Sequence, residues 1–210
     1  MLHYQTVDTP TLELLRSLLS VDIFKELRLV GGTSLALQYG HRKSIDIDLF
    51  GRLDADIFEI NSALSDLGEI KIIKDSKNIH VYLVNGIKVD IVNYPYPWIG
   101  KLITTDKLRL ADENDIAAMK LAAVTGRGTK KDFYDLYLLL KYISLADMLK
   151  LYESKYKDGS LFMVLKSLIY FDDADEDIMP ALLRPVAWDT VKDSILKAYK
   201  EYMKNENEVS

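Results

Sequence analysis

The sequence predicts an α+β fold: a mixed β-sheet core with flanking helices over residues 1–111, then an α-helical half over residues 112–210. Three observations lead there. Across residues 27–92, short runs with apolar residues at every second position alternate with runs whose apolar residues recur every three or four. Asn85-Gly86 joins two of the alternating runs, a strong short-range hairpin signal. From Asp112 onward the helical period holds almost throughout.

Taken in order, Pro10 opens an amphipathic helix with Thr9 as its N-cap and Leu12, Leu15, Leu18 and Leu19 on one face. Residues 27–30 read as a short strand, Gly31-Gly32 as a tight turn, and residues 34–39 as a helix stopped by Gly40. Residues 45–50 alternate acid and apolar, so Asp46 and Asp48 share one face. A helix over residues 54–67 ends at Gly68, and strands follow at residues 70–73, 79–84 and 87–92, with Asp90 inside the last. Two prolines make Tyr94-Pro95-Tyr96-Pro97-Trp98 a rigid loop. Asp112 caps a helix over residues 113–125, Gly126-Arg127-Gly128 breaks it, and residues 131–142 resume the pattern. Ser144 with Asp147 resembles a capping box, residues 160–171 and 189–203 are the last helices, and residues 204–210 form a polar tail expected to fray.

With 210 residues, 49% of them hydrophobic, the chain is long and apolar enough to bury a core and too apolar for a disordered protein. The absence of Cys excludes disulfides and thiolate metal sites. No run nears the roughly 18 apolar residues of a membrane span, and the N-terminus lacks the basic and apolar blocks of a secretion signal. A soluble, cytoplasmic protein without membrane contact is expected. A net charge of −5, from 27 basic and 32 acidic residues, argues against a surface that grips nucleic acid everywhere, while leaving room for a local basic cleft. The thirteen tyrosines fit half-buried helix faces and core edges and carry no functional weight.

The chemistry concentrates in LVGGTSLALQYGHRKSIDIDLF. Gly31 and Gly32 allow backbone N–H groups to approach a ligand, Thr33 and Ser34 add hydroxyls, and the helix behind them favours an anion, which together make a phosphate seat. Asp46 and Asp48 repel each other unless cations neutralise them, and Mg²⁺ is the natural partner of such oxygens. Arg42 and Lys43 are placed to hold a triphosphate, and Ser44 to touch a phosphate or fix the strand edge. Asp90, on a neighbouring strand, would let carboxylates bridge two metal ions roughly 3.5–4 Å apart.

At these residues the chain resembles the nucleotidyltransferase superfamily, whose pattern is a Gly pair or Gly-Ser, a helix, two alternating Asp and a distant third Asp. More narrowly, GGTSLAL, HRKSIDIDLF and MKLAAVTGRGTKKDFYDLYLL are similar to the AbiEii/AbiGii toxin family. The resemblance implies a DNA-polymerase-β-like nucleotidyltransferase core with a helical C-terminal part that completes the active-site cleft. It also implies NTP as substrate, Mg²⁺ as cofactor, toxin behaviour with a separate antitoxin, and in some relatives addition of nucleotides to the tRNA acceptor end. An essential Lys and Asp of relatives fall in the third run: Lys120 matches the lysine, and either Asp132 or Asp135 matches the aspartate. Gly-Gly-Thr-Ser stands here in place of a simple Gly-Ser, so either Ser34 or Thr33 supplies the hydroxyl.

Lys120 and Arg127 lie seven residues apart and share a helix face if the helix persists, where they could clamp phosphate. Asp132 and Asp135 could orient these cations or act as a base. The reaction expected is NMP transfer from an NTP to an acceptor hydroxyl, most plausibly RNA and specifically the 3′ end of tRNA, with Arg127, Lys130 and Lys131 supplying positive charge. Alternatives are a protein or small-molecule acceptor, a module that binds nucleotide without turnover, and toxicity through partner binding. Plainer readings stand beside these: Asp46, Asp48 and Asp90 as strand-edge acids, Lys120 as a solvated helix charge, and Asp132 and Asp135 as surface partners of Lys130 and Lys131. The run 172–177 is a solvated acidic loop, since Ile178 and Arg184 stand where an EF-hand needs Gly and Glu. His3, His41 and His80 show no zinc spacing, and His41 reads as a surface-loop residue. Tyr94, Tyr96 and Trp98 either stack on a base or pack the loop.

Overall fold

The computed structural model describes residues 1–209, with side chains described through Glu206. Asp8, not Thr9, caps the first helix: its carboxylate accepts the Thr11 N–H at 2.8 Å, and α1 runs Thr9–Ser20 with Pro10 in its first turn. Leu14, Leu15, Leu18 and Leu19 face the core. Strand β1 is only Arg28–Leu29, and α2 is Gly31–Tyr39. The glycine pair therefore forms the first turn of a helix and not a turn ahead of it. Gly31 adopts φ +67°, a conformation that L side chains rarely take, and this lets the chain swing from extended Val30 into the helix.

The described residues form a seven-stranded mixed sheet in the order β3-β4-β5-β2-β1-β7-β6. Its remaining strands are β2 Ile47–Gly51, β3 Ile70–Asp75, β4 Ile79–Val84, β5 Ile87–Asn93, β6 Ile103–Thr105 and β7 Leu108–Leu110. The β2/β5 and β1/β7 pairs are parallel and the other neighbours antiparallel. Asn85 and Gly86 both have positive φ, as the β4–β5 hairpin turn requires.

The β6–β7 hairpin has no counterpart in the sequence reading. It turns on Asp106-Lys107, both at positive φ, without the Gly that marks such turns. It is held instead by tertiary contacts: Leu108 and Leu110 are buried, and the Arg109 guanidinium donates to the carbonyls of Leu19, Phe24 and Leu27. Helix α3, Ile57–Ser65, starts later than its apolar period suggests, because Asp56 and Glu59 form a complete capping box. Leu15, Leu18, Phe24, Leu29, Leu49 and Ile91 belong to the core of this unit, which comprises Met1–Tyr96 and Lys101–Asp112.

A second compact unit consists of Pro97–Gly100 and the chain from Glu113 onward. It contains α4 Glu113–Gly126, α5 Lys130–Leu139, α6 Leu145–Lys155, α7 Leu161–Leu168, α8 Asp172–Glu176 and α9 Trp188–Val209. Ser144 caps α6 by accepting the Asp147 N–H at 3.1 Å, while its hydroxyl donates to the Asp147 carboxylate, so the box is only half formed. Two expectations change here. The acidic run is a short helix, α8, with Ala174 buried and Asp175 accepting Trp188 Nε1 and Lys192 Nζ. The expected polar tail is helical through Val209, and Ser210 lies outside the described residues. Lys155, at the end of α6, is fully buried with Asp115 of α4: Nζ donates to Asp115 Oδ1 and to the Pro97 carbonyl, each at 2.7 Å. The Asp115 carboxylate also accepts the N–H groups of Ile99 and Gly100, so one buried ion pair fixes segment 97–100 to α4 and α6. No described helix is long and apolar enough to cross a membrane.

Candidate active site

Strand β2 buries Ile47, Leu49 and Gly51 and turns Asp48 and Phe50 to the opposite, half-buried face. Strand β5 runs parallel beside it in a register that sets Asp48 opposite Asp90, with Val89 and Ile91 facing the core. Two carboxylates thus stand on one face of adjacent strands, whose backbones lie about 4.8 Å apart. The Val30 N–H donates to the Asp48 carbonyl at 2.9 Å, which brings the start of α2 over that carboxylate. A Cβ on Gly31 would lie 2.5 Å from Asp48 Oδ2, so the glycine makes room for the acid.

Asp46 sits one residue ahead of β2, and its carbonyl accepts the Thr33 hydroxyl. Thr33 Oγ1 is also 2.8 Å from Ser44 Oγ, so Thr33 and Ser44 tie the first turn of α2 to the segment carrying Asp46. Thr33 and Ser34 are buried, and Ser34 Oγ accepts from Gln38 Nε2 at 3.1 Å. Arg42 is buried as well, with Nη1 on the Lys43 carbonyl, and Lys43 Nζ donates to the Gln5 carbonyl. His41, expected on a surface loop, is buried because the loop following α2 folds inward. Val30, the N-cap residue of α2, makes no side-chain cap hydrogen bond, and the backbone of the Gly31-Gly32 turn forms the start of the helix.

Lys88, two residues before Asp90 on the same strand face, places its ammonium 2.5 Å from Asp90 Oδ1. Sequence reasoning missed it, although the period-two pattern that located Asp90 also locates Lys88. The oxygen-only donors of Asp46, Asp48 and Asp90 suit a hard divalent cation such as Mg²⁺. As placed, no three Asp, Glu or His side chains among the described residues stand as one ion-holding group. The fold delivers the Asp48–Asp90 pair, with Asp46 beside it.

The helical unit holds the other predicted residues. Lys120, far from a solvated charge, is 4% exposed, and its ammonium lies 2.8 Å from Asp132 Oδ1 and 2.6 Å from Asp135 Oδ2, both carboxylates fully buried. They are therefore not surface partners of Lys130 and Lys131. Arg127 Nε donates to Asp132 Oδ2 at 2.9 Å, and Thr129 Oγ1 donates to the same oxygen. Burial pushes the Asp132 carboxyl up, but the adjoining Lys120 and Arg127 cations outweigh it and hold the group well below the usual carboxylate range. Lys130 is buried and its ammonium donates to the carbonyls of Asp175 and Asp177. The Arg127 side chain stays 58% exposed.

The family profile described as "Nucleotidyl transferase AbiEii toxin, Type IV TA system" matches residues 13–205. The chain is 34% identical over 199 residues to the Aquifex aeolicus (strain VF5) protein aq_aa25, covering 92% of this chain and 96% of that one. Among solved structures it is similar to MenT4, the nucleotidyltransferase toxin Rv2826c of Mycobacterium tuberculosis H37Rv, with a TM-score of 0.64 at 18% identity over 90% of this chain and 80% of that one. It is also similar to JHP933 from Helicobacter pylori, with a TM-score of 0.55 at 18% identity over 97% of both chains. At these identities the structural likenesses speak to the fold, an α+β nucleotidyltransferase-toxin architecture. On the span of the family match, the chain belongs to the AbiEii nucleotidyltransferase toxin family and is a nucleotidyltransferase.

Proposed function

We propose that the protein transfers NMP from an NTP to the 3′-terminal hydroxyl of an RNA, specifically tRNA, in a Mg²⁺-dependent reaction that releases pyrophosphate in the cytoplasm. The observation that carries this reading is the in-register pair Asp48–Asp90 beside the start of α2 at Gly31-Gly32. The backbone of that turn receives the β- and γ-phosphates, where helix-start N–H groups favour anions. Asp46, Asp48 and Asp90 would hold Mg²⁺, which when bound supplies charge neutralisation on the phosphates and a more acidic acceptor hydroxyl. Asp90 takes the proton of the acceptor hydroxyl. Asp132 and Asp135 hold the Lys120 ammonium, and Asp132 also orients Arg127. Arg42, Lys43 and Ser44 shape the segment carrying Asp46. The family description, a type IV toxin–antitoxin system, supports a cognate antitoxin as a further partner.

The test is incubation with each of four labelled NTPs and Mg²⁺, in separate fractions of total cellular RNA, protein and small molecules. Label is expected at RNA 3′ ends, and the Asp48→Asn and Asp90→Asn variants should lose at least roughly 100-fold in rate while keeping the wild-type melting profile. Label confined to protein or small molecules would replace the acceptor. Full activity in both variants would refute the site.

A further inference from the structure

We infer that Phe50, Tyr94 and Tyr96 form a stacking platform for a nucleobase at the far end of the proposed site from the Gly31-Gly32 turn. The inference rests on the site proposed above and adds the element that site lacks, a surface that recognises a base.

Phe50 follows Asp48 by two residues on β2 and so faces the same side of the sheet, about 7 Å further along the strand. The backbone keeps this end ordered. Phe50 pairs with Val92 of β5, the Tyr94 N–H donates to the Gly51 carbonyl at 2.8 Å, and Asn93 Oδ1 accepts the Leu53 N–H at 3.2 Å. Tyr94 thereby leaves the sheet beside Phe50. Their ring centroids are 5.3 Å apart at 49°, and Tyr94 and Tyr96 follow at 5.2 Å and 60°. Such tilted contacts fix each ring by its neighbour, and Tyr96 is 41% exposed. Pro95 between the tyrosines restricts the backbone, so little ordering remains to be done on binding.

Order along the strand pair gives the platform its ligand. Gly31 lies over Asp48, the acids come next, and the rings lie beyond Asp90 in the direction of β5. A nucleotide presents the same order: phosphates, reacting centre, then base. Trp98, which the sequence groups with the two tyrosines, has a different role, its ring packing under Lys155 Nζ at 4.7 Å in the helical unit. The base belongs either to the incoming NTP or to the terminal nucleotide of the acceptor, and both would stack by the same chemistry, which tolerates any base because every base has a π-face.

The experiment measures equilibrium binding by calorimetry for the wild-type protein and the variants Tyr96→Ala, Tyr94→Leu, Tyr96→Phe and Tyr94→Phe. The probes are each NTP, tripolyphosphate (which carries no base) and a short single-stranded RNA. Removing a ring should weaken binding roughly 5- to 100-fold, the phenylalanine variants should retain it, and tripolyphosphate affinity should not move. A loss confined to NTPs assigns the platform to the incoming nucleotide, and a loss confined to RNA assigns it to the acceptor. Because Tyr96 is half exposed, Tyr96→Ala tests the inference even if Tyr94→Leu is poorly folded. Unchanged affinity for both NTPs and RNA in Tyr96→Ala and Tyr94→Leu overturns the platform. Ring-dependent binding without pyrophosphate release by the wild-type protein would uphold the platform and refute the transfer reaction.

Discussion

Gly31→Ala separates the two demands that the structure places on this glycine. At φ +67° an L side chain costs about 1–2 kcal/mol whatever surrounds it. Gly86, in the β4–β5 turn at φ +81°, meets the same backbone demand with nothing within 4 Å of its would-be Cβ. Gly86→Ala therefore measures the conformational cost alone, a fall in Tm of about 2–8 °C for a chain of this length. At Gly31 the new Cβ would stand 2.5 Å from Asp48 Oδ2, and ordinary contact begins at 3.4 Å, so the carboxylate must retreat by about 0.9 Å. That oxygen ends a rotatable side chain, so the retreat adds little to the stability loss. A displacement of about 1 Å in a reacting or ligand-holding group is enough to lower a rate about 100-fold. The two variants should thus melt at similar temperatures by circular dichroism. In a pyrophosphate-release assay Gly86→Ala should match wild type and Gly31→Ala should fall by about two orders of magnitude. Equal activity in the two variants would refute the argument that Gly31 exists to clear space for Asp48.

Two further predictions concern the buried ion pairs of the helical unit. Asp132 is held well below its ordinary value, so it contributes stability that is fully present above the unfolded carboxylate value of about 3.9 and is lost as pH falls through the folded value. Melting temperature should therefore decline from about pH 4 downward in the wild-type protein and less steeply in Asp132→Asn, which starts lower; parallel pH curves would contradict the assignment. Lys155→Met leaves the fully buried Asp115 without its cation and should cost about 3–5 kcal/mol, read by urea unfolding. A loss below about 1 kcal/mol would show that segment 97–100 is held by something else.

The sequence made legible those features that depend on local period and turn chemistry. Alternation over β2 and β5 located Asp48 and Asp90, and Asn85-Gly86 located the hairpin that brings β4 against β5. Register was beyond it: nothing local sets Asp48 opposite Asp90, because that depends on how β2 and β5 meet as parallel strands. The β6–β7 hairpin was invisible for a related reason, since Asp106 is followed by Lys107 and not by the Gly that completes such a turn signal, and its hold comes from Arg109 and carbonyls more than eighty residues away in sequence. Buried charge was the other blind spot. Lys120 and Lys155 look alike in a one-dimensional pattern that treats any lysine as solvated, and only packing shows that each meets a buried carboxylate. The same limit hid the use of Thr33, whose hydroxyl ties α2 to the segment carrying Asp46.

The two acidic clusters sit in opposite environments, and that difference assigns their chemistry. Asp132 and Asp135 are fully buried and share Lys120, with Arg127 completing a group whose charges cancel. A carboxylate held as low as Asp132 is a weak base, poorly matched to removing a proton near neutral pH. Its strength is mechanical: three donors fix both of its oxygens, and in return it fixes the Lys120 ammonium and the Arg127 guanidinium. Asp48 and Asp90 are half-buried on a sheet face, where a phosphate and an acceptor hydroxyl can reach them. Their mutual repulsion across adjacent strands is a cost that a divalent cation removes, and Lys88 beside Asp90 already offsets part of it. Under the proposed reaction the general base therefore belongs to the sheet, while burial and pairing leave Asp132 to hold Lys120 and Arg127 in place.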